Sequence, residues 1–323
     1  MEDREASSRR RPVAPVAQII VPRFLRPRCA LLLTGLPLPL IGVFLALSAT
    51  VAVAQSSSVA LVPALVEPGS PVLIRVQAPA DAMIDGEWLG RPLQFFTRGG
   101  SHVWFAVAGV DVEASPGPST LRITVRVGNG NARDLSRTVL IRPSHYSTAS
   151  LTVAPEFVEP GPEALQQIEA ERQLKEKVFS SSAAEPLWAG NFRAPVTARS
   201  ISSFGVRRMF NGKLASIHKG LDFRARTGTP VRAGNSGVVV LARPLYYEGN
   251  CVIIDHGLGL FTISMHLSRI DVEEGQRVGI GDLIGLSGAT GRVTGPHLHR
   301  AVRWQGAYLD PAKLLRLKLA AAR

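Results

Sequence analysis

Short alternating and apolar runs fill the chain between residues 59 and 143. Residues 121–127 alternate apolar and polar side chains, which is typical of a strand with one buried face, and residues 72–76 form a short apolar run. Turn signals at residues 67–69 and 116–118 separate these runs. Several short strands between turns predict a small β-sandwich, which we assign to residues 55–145.

Residues 146–186 differ in pattern from the strands before them. Between residues 163 and 179 the chain is rich in Gln, Glu, Lys and Leu, which are good helix formers, and Glu171 and Lys175 are spaced for an i,i+4 ion pair. Gly161 and Pro162 predict the start of a helix and the serines at 180–182 its end. We therefore predict a linker with one helix. Its apolar stripe is thin, which leaves open whether it packs across the following domain.

Residues 187–311 return to a β pattern with many glycines. Short apolar runs such as residues 237–241 and 252–255 alternate with tight turns, and there is no long helical period. This predicts an open antiparallel β architecture. The fold class expected for the chain is mainly all-β: a small sandwich, a linker helix, an antiparallel β-sheet domain over 187–311, and a basic tail over 312–323.

Residues 1–54 have the three-part layout of an export signal. Seven arginines lie within residues 1–28, residues 29–54 carry no charge, and Ala52, Val53 and Ala54 form a small-x-small cleavage pattern. We expect a cleaved signal peptide and a location in the periplasm or cell envelope. The alternative is an uncleaved inner-membrane anchor, because the apolar run is long enough to span a bilayer. The long basic region leaves open whether translation starts downstream of Met1.

Charge and cysteine content narrow the classes of partner and of site. The 323 residues contain 37 Lys plus Arg and 25 Asp plus Glu, a formal net charge of +12 that indicates an anionic partner. Export excludes nucleic acid, and membrane contact is expected only if the leader is uncleaved. Of 2 cysteines, Cys29 leaves with the leader. Cys251 lies in an apolar run, where we expect a buried, inert thiol.

Histidines concentrate in the last domain. His218 and Asp222 are separated by three residues, His266 lies in a Met-His-Leu-Ser run, and His297 and His299 flank Leu298. Zinc accepts imidazole nitrogens and carboxylate oxygens in tetrahedral geometry. If Leu298 lies in a strand, His297 and His299 project from one face about 7 Å apart. One could then hold the metal while the other contacts the water that the metal activates.

The surrounding motifs resemble the lysostaphin/LytM-type zinc metalloendopeptidases, which are peptidoglycan hydrolases. Over about 125 residues the motifs follow the order and spacing of that family. They are Ser203-Phe204-Gly205-x-Arg207, Asn211-Gly212, His218-x-Gly220-x-Asp222, Gly228-Thr229-Pro230-Val231, Gly249-Asn250-x-Val252, Ile254-Asp255-His256-Gly257, His266-Leu267-Ser268, the run from Thr290 to His299, and Asp310-Pro311. The layout is also similar to that of members with an N-terminal immunoglobulin-like domain.

The resemblance implies a role for each matching residue. His218, Asp222 and His299 match the ligands of one zinc ion per chain, and His266 and His297 match the two catalytic histidines that are not ligands. Which of these two is the principal general base stays open. His256 matches a family signature, but its place after a strand favours a structural turn over a metal ligand. The implied fold is an antiparallel β-sheet of the duplicated hybrid motif type.

Two positions depart from the usual family pattern. Ser264 stands where the family usually has Tyr, and Arg300 and Ala301 follow the second histidine of the pair, where Phe-Glu or Trp-Gly is common. If the strand alternation continues, Arg300 faces away from the metal.

The resemblance implies an exported zinc endopeptidase that hydrolyses peptide bonds in peptidoglycan stem peptides or cross-links. Its expected partners are peptidoglycan and envelope or divisome proteins. The alternative is a weak or inactive member that activates cell-wall amidases, and a third hypothesis is an envelope-binding module. The intact set of His218, Asp222 and His299 argues against the amidase activator, and the binding module leaves that set unexplained. The bond cleaved and any occlusion of the groove by the linker stay open.

Overall fold

Two small antiparallel sheets form the N-terminal part of the protein. The computed structural model describes residues 58–151, 160–210 and 213–319; the predicted leader and the Asn211-Gly212 motif lie outside them. The strands are β1 Val59–Val62, β2 Pro71–Gln77, β3 Ala82–Trp88, β4 Arg91–Pro92, β5 Phe96–Thr97, β6 Val103–Gly109, β7 Gly117–Val127 and β8 Arg133–Ile141. Their orders are β1-β2-β6-β5 and β4-β3-β7-β8.

The two sheets pack through one apolar core. On β7, Leu121, Ile123 and Val125 are buried while Arg122 and Arg126 are exposed, so the alternation predicted for this strand is confirmed. The same core includes Ile74 of β2. A strand that alternates in this way buries one face against the opposite sheet.

A strand and a helix make up the described linker. Strand β9 spans Thr148–Leu151, and helix α1 spans Pro162–Ser180. Gly161 is the N-cap and Pro162 the first residue, where a missing N–H costs nothing, so the predicted start is confirmed. No residue of α1 is fully buried, and no described helix is both long and apolar enough to cross a membrane.

The C-terminal part is built on a large antiparallel sheet. Its strands are β10 Ser200–Ser202, β13 Gly220–Phe223, β14 Pro230–Arg232, β15 Gly237–Leu245, β16 Gly249–Asp255, β17 Leu260–Ile270, β18 Arg277–Val278, β19 Leu283–Ser287, β20 Leu298–Trp304 and β21 Ala307–Leu309. The main order is β10-β13-β20-β17-β16-β15-β18. A separate sheet joins β11 Arg207–Phe210 to β12 Lys213–Ile217 and, in parallel, to β9. The predicted mainly-β fold is confirmed.

The sandwich and the large sheet share one apolar core. Trp188, Trp304 and Leu309 belong to the same buried cluster as Ile74 of the sandwich. A Cβ added to Gly109 would lie 2.4 Å from a methyl carbon of Leu309, so the two halves meet without a gap there. The chain ends in helix α2, Pro311–Arg316, which Asp310 caps by accepting from the Ala312 N–H at 2.8 Å. The predicted tail therefore begins inside α2. The domain boundaries stay predictions.

Candidate metal centre and groove

The pairing of β13 with β20 brings the predicted ligands together. Asp222 and His299 are direct partners across these strands, and His218 lies just before β13. The Asp222 Oδ1 atom lies 2.7 Å from His299 Nδ1 and 3.0 Å from His218 Nε2, and those two nitrogens are 3.0 Å apart. All three residues are buried. They form a compact donor set that could hold one metal ion.

The hydrogen bond of His218 Nδ1 indicates why a cation fits this set. Its Nδ1 atom lies 2.8 Å from the Ser203 carbonyl oxygen, which can only accept, so Nδ1 carries the hydrogen. If the ring carries only that hydrogen, Nε2 and the Asp222 carboxylate face each other as two acceptors. A metal ion between them would satisfy both groups. A histidine ligand that donates its other N–H to a carbonyl is the usual outer contact of such sites.

Charge around Asp222 keeps its carboxylate ionised. Burial opposes ionisation, but the contacts with His218 and His299 outweigh it and hold the pKa of Asp222 below its usual range. Arg208 Nη2 donates to the second carboxylate oxygen, Oδ2, at 3.0 Å. The carboxylate is thereby oriented with Oδ1 toward the histidines. Burial lowers the pKa of His299, which favours the neutral, metal-binding imidazole.

His266 and His297 lie beside the donor set as a second pair. Their ring centroids are 5.0 Å apart, and His266 lies 6.0 Å from His299 by the same measure. His297 Nε2 is 3.8 Å from Asp222 Oδ1, so both members of the His297–His299 pair face the site, as predicted. Burial, reinforced by His299 and His297, lowers the pKa of His266 to about 3, so its ring is neutral at neutral pH.

Backbone carbonyls select one nitrogen on each of these two rings. Nδ1 of His266 donates to the Thr290 carbonyl oxygen at 2.9 Å, and Nδ1 of His297 donates to that of Gly295 at 2.8 Å. Nε2 is then the basic atom of each ring. His266 adopts a left-handed φ of 64°, and its N–H donates to the Glu248 carbonyl at 2.8 Å. The backbone there is held in a sparsely populated conformation that aims the ring.

A groove of about 440 Å³ opens over the donor set. It includes residues that the sequence motifs do not identify: Glu113, Arg208, Tyr247, Glu248, Arg292 and Tyr308. Glu113 comes from the sandwich and pairs with Lys219 at 2.6 Å, so the sandwich contributes to one wall. Arg208 directly follows the Ser-Phe-Gly-x-Arg motif, whose last residue, Arg207, is exposed. Strand alternation is the one sequence signal that would have predicted opposite directions for these two side chains.

The structure also places the other residues that the sequence singles out. His256 is fully buried, with Nδ1 donating to the Ser236 carbonyl at 2.7 Å and Nε2 accepting from the Thr262 hydroxyl at 2.7 Å, which confirms a structural role. Cys251 is also fully buried, and burial raises the pKa of its thiol. Of the two residues that follow His299, Ala301 lines the groove, whereas Arg300 lines a separate cavity.

Comparisons with known proteins agree with this site. Residues 216–311 match the model of peptidase family M23. ShyA of Vibrio cholerae, a peptidoglycan DD-endopeptidase, is 49% identical over 124 residues, which are 38% of this chain and 29% of ShyA. The matched segment thus spans under a third of that relative.

Two solved structures extend the comparison. A peptidase M23 from Pseudomonas aeruginosa matches with a TM-score of 0.60 and 29% identity, covering 77% of this chain and 94% of that one. The catalytic domain of lysostaphin from Staphylococcus simulans matches with 33% identity and a TM-score of 0.34. The match covers 37% of this chain and 93% of that domain. The family match includes all five site residues from His218 to His299. The chain belongs to peptidase family M23.

Proposed function

We propose that this chain is a zinc-dependent endopeptidase that hydrolyses peptide bonds in peptidoglycan. The observation that carries the proposal is the convergence of His218, Asp222 and His299 at the floor of an open groove, with His266 and His297 beside them. The activity of ShyA supports peptidoglycan as the substrate. A peptide in the groove would lie between the sandwich wall at Glu113 and the wall formed by Tyr247 and Glu248.

His218, Asp222 and His299 would hold the zinc ion. The donor set of two imidazoles and one carboxylate suits zinc, and three protein ligands are typical of its catalytic sites. When bound, zinc supplies Lewis-acid polarisation of the scissile carbonyl and lowers the pKa of a water molecule. Arg208 would keep Asp222 in the orientation that presents Oδ1.

His266 and His297 would handle the proton and the developing charge. Each has its Nδ1–H fixed on a carbonyl, so each can accept a proton only at Nε2. His266 is neutral at neutral pH, so its Nε2 lone pair is free to accept a hydrogen bond or a proton from water. The protonated ring can then donate to the leaving amine, and the other ring can stabilise negative charge on the carbonyl oxygen.

The proposed setting is the periplasm or cell envelope. The export-type leader over residues 1–54 and the net charge of +12 support it, because anionic peptidoglycan is met only after export. Envelope or divisome proteins are the proposed further partners. An inner-membrane anchor remains the alternative if the leader is retained.

The test combines zinc content with release of soluble muropeptides from peptidoglycan. We expect about one zinc per chain and release of muropeptides. His299→Ala should lose both, whereas His266→Gln should keep the zinc and lose about 10²–10⁴-fold in rate. His102→Ala, at an exposed position of the sandwich, is the matched control and should change neither. Bound zinc without cleavage, together with stimulation of an amidase, would instead support the activator hypothesis.

A further inference from the structure

A strongly cationic segment surrounds the metal ligand Asp222. Residues 186–247 contain ten Lys or Arg residues and one acidic residue, which is Asp222 itself. Three arginines of this segment, Arg199, Arg224 and Arg226, are exposed, and none of them forms an ion pair with another described residue. We call these three residues the arginine row. No described carboxylate neutralises their charge by direct contact.

Strand β13 directs the Arg224 side chain to the face that carries the metal ligand. Side chains alternate along a strand, and Asp222 and Arg224 are two residues apart. Phe223, between them, is buried in the apolar core behind the sheet. Phe223 pairs with Leu298 of β20, so the same register continued by one residue places Arg224 opposite His297. Arg224 therefore lies beside one of the two histidines that accompany the donor set.

Arg199 lies on the other side of Arg224 in the same row. Ser200 of β10 pairs with Phe223, and the Arg224 N–H donates to the Arg199 carbonyl oxygen at 3.0 Å. Residues directly opposite each other on antiparallel strands project to one face with Cβ atoms about 5 Å apart, and like charges at such positions destabilise a sheet. Two opposed arginines are thus unfavourable for folding by themselves, but they can share one anion.

Arg226 adds a third charge near the same edge of the metal centre. It follows Arg224 by two residues, and its carbonyl oxygen accepts from the Ser287 hydroxyl at 2.5 Å. The next residue, Gly288, accepts from the His297 N–H at 3.1 Å. None of the three arginines lines the groove described above. The arginine row therefore extends the charged surface outward from His297, beyond the walls of the groove.

We propose that the arginine row binds a carboxylate of the substrate, so that the chain prefers peptides with an acidic group near the bond cleaved. Guanidinium groups donate in a planar fork that matches a carboxylate. An extended peptide advances about 3.3 Å per residue, so an acidic group bound beside His297 would lie within a few residues of that bond. The inference rests on the proposed peptidase function and identifies the side of the metal centre on which the acidic group binds.

Kinetics of the full chain on two forms of peptidoglycan test the proposal. One form keeps its free carboxylates, and in the other a carbodiimide and ammonia convert them to amides. For wild type we expect amidation to raise KM by at least about fivefold, with a smaller effect on kcat. Arg199→Gln combined with Arg224→Gln should raise KM on the native form by a similar factor. This double variant should respond little to amidation, because the interaction is already lost.

A matched control removes the same charge far from the metal centre. Arg122→Gln combined with Arg133→Gln changes two exposed arginines of the sandwich and should leave both KM values as in wild type. An unchanged KM in the Arg199/Arg224 double variant would overturn the proposal. An equal effect of amidation on that variant and on wild type would also overturn it.

Sedimentation with insoluble peptidoglycan separates the arginine row from the proposed peptidase activity. With zinc removed by a chelator, wild type should bind the native form at least about fivefold more tightly than the amidated form, and the Arg199/Arg224 variant should not discriminate. If this binding pattern holds but zinc-loaded wild type cleaves nothing, the arginine row stands as a carboxylate site and the peptidase proposal fails. If the double variant instead loses binding only to anionic phospholipid vesicles, the arginine row contacts a membrane and the proposal is wrong.

Discussion

Gly220 shows how a single residue permits the metal site. A Cβ at this position would lie 2.3 Å from His299 Nε2 and 2.7 Å from the Arg300 carbonyl oxygen, too close for either group to remain in place. Gly220 lies on β13 two residues before Asp222, directly opposite Ala301. The glycine of the His-x-Gly-x-Asp motif is therefore required by the close approach of the His299 ring.

We predict that Gly220→Ala lowers zinc affinity by at least about tenfold, because it displaces a ligand from a site whose geometry is set by its surroundings. Zinc affinity is measured by competition with a chromogenic chelator. Gly295→Ala is the matched control, since a Cβ there meets no atom within 4 Å. Equal zinc affinity in both variants would show that the His299 ring can move without loss.

His256 should make stability depend on pH. Burial lowers the pKa of His256 from its usual 6.5 to about 3. Between these values the unfolded chain binds the extra proton, so stability falls as pH falls below about 6.5, by up to about 1.4 kcal/mol per pH unit. In His256→Gln this contribution is absent. We predict that the stability difference between wild type and variant shrinks by about 2 kcal/mol from pH 7 to pH 5.

Urea unfolding at the two pH values provides the measurement for His256. A difference that stays constant with pH would mean that the buried ring does not titrate as its surroundings imply. The fixed hydrogen bonds to Ser236 and Thr262 predict the neutral Nδ1–H tautomer, which nitrogen NMR of the folded chain would detect directly.

At the scale of secondary-structure elements, helix α1 supports one wall of the groove. The Glu171 carboxylate accepts from the Tyr246 N–H at 2.9 and 3.0 Å, and Lys175 pairs with Glu248. The expected Glu171–Lys175 ion pair is not among the ion pairs of the described residues, because each side chain instead binds the segment 246–248, whose Glu248 lines the groove. Phe179 packs edge-on against Phe261 at 5.1 Å, so the thin apolar stripe faces the large sheet. Helix α1 therefore packs against the large sheet, a point that the sequence left open.

Lys175→Met should lower the free energy of unfolding by about 2–3 kcal/mol. The side chains of Lys175 and Glu248 are 26% and 12% exposed, so removing the lysine leaves a mostly buried carboxylate without its partner. Arg172→Met in the same helix breaks pairs with Glu169 and Glu176 that are about half exposed, and should cost under about 1 kcal/mol. Urea denaturation measures the free energy of unfolding of both variants. Equal losses in Lys175→Met and Arg172→Met would argue against a stabilising role of the Lys175–Glu248 pair.

At the scale of the whole molecule, the continuous core predicts cooperative unfolding. Ile74 in the sandwich and Trp304 in the large sheet belong to one buried cluster, and backbone bonds such as Asp310 N–H to Gly69 O, at 2.8 Å, join the halves. Disrupting one half should therefore expose the core of the other.

We predict that the chain unfolds in a single transition and that Ile74→Ala destabilises both halves. This change should cost about 2–5 kcal/mol, as expected for a truncated core side chain. Amide hydrogen exchange should report the same loss of protection for β2 in the sandwich and β16 in the large sheet. Loss confined to β2, or two separate transitions, would show that the halves unfold independently.

The sequence by itself determined the features that depend on neighbouring residues. Alternation identified β7, and composition and end signals identified α1, because periodicity and residue type are readable locally. Residue chemistry marked the histidines and Asp222 as candidate metal ligands, and the family resemblance selected His218, Asp222 and His299 among them. Sequence motifs also placed the site within a known family.

Only the tertiary structure decided which distant groups meet. His218 and His299 are 81 residues apart and touch because β13 pairs with β20. The same strand order places Ser264 opposite Arg300, and the shared core carries Glu113 of the sandwich to the groove. These contacts depend on strand order and on side chains far apart in the chain, which no local pattern encodes.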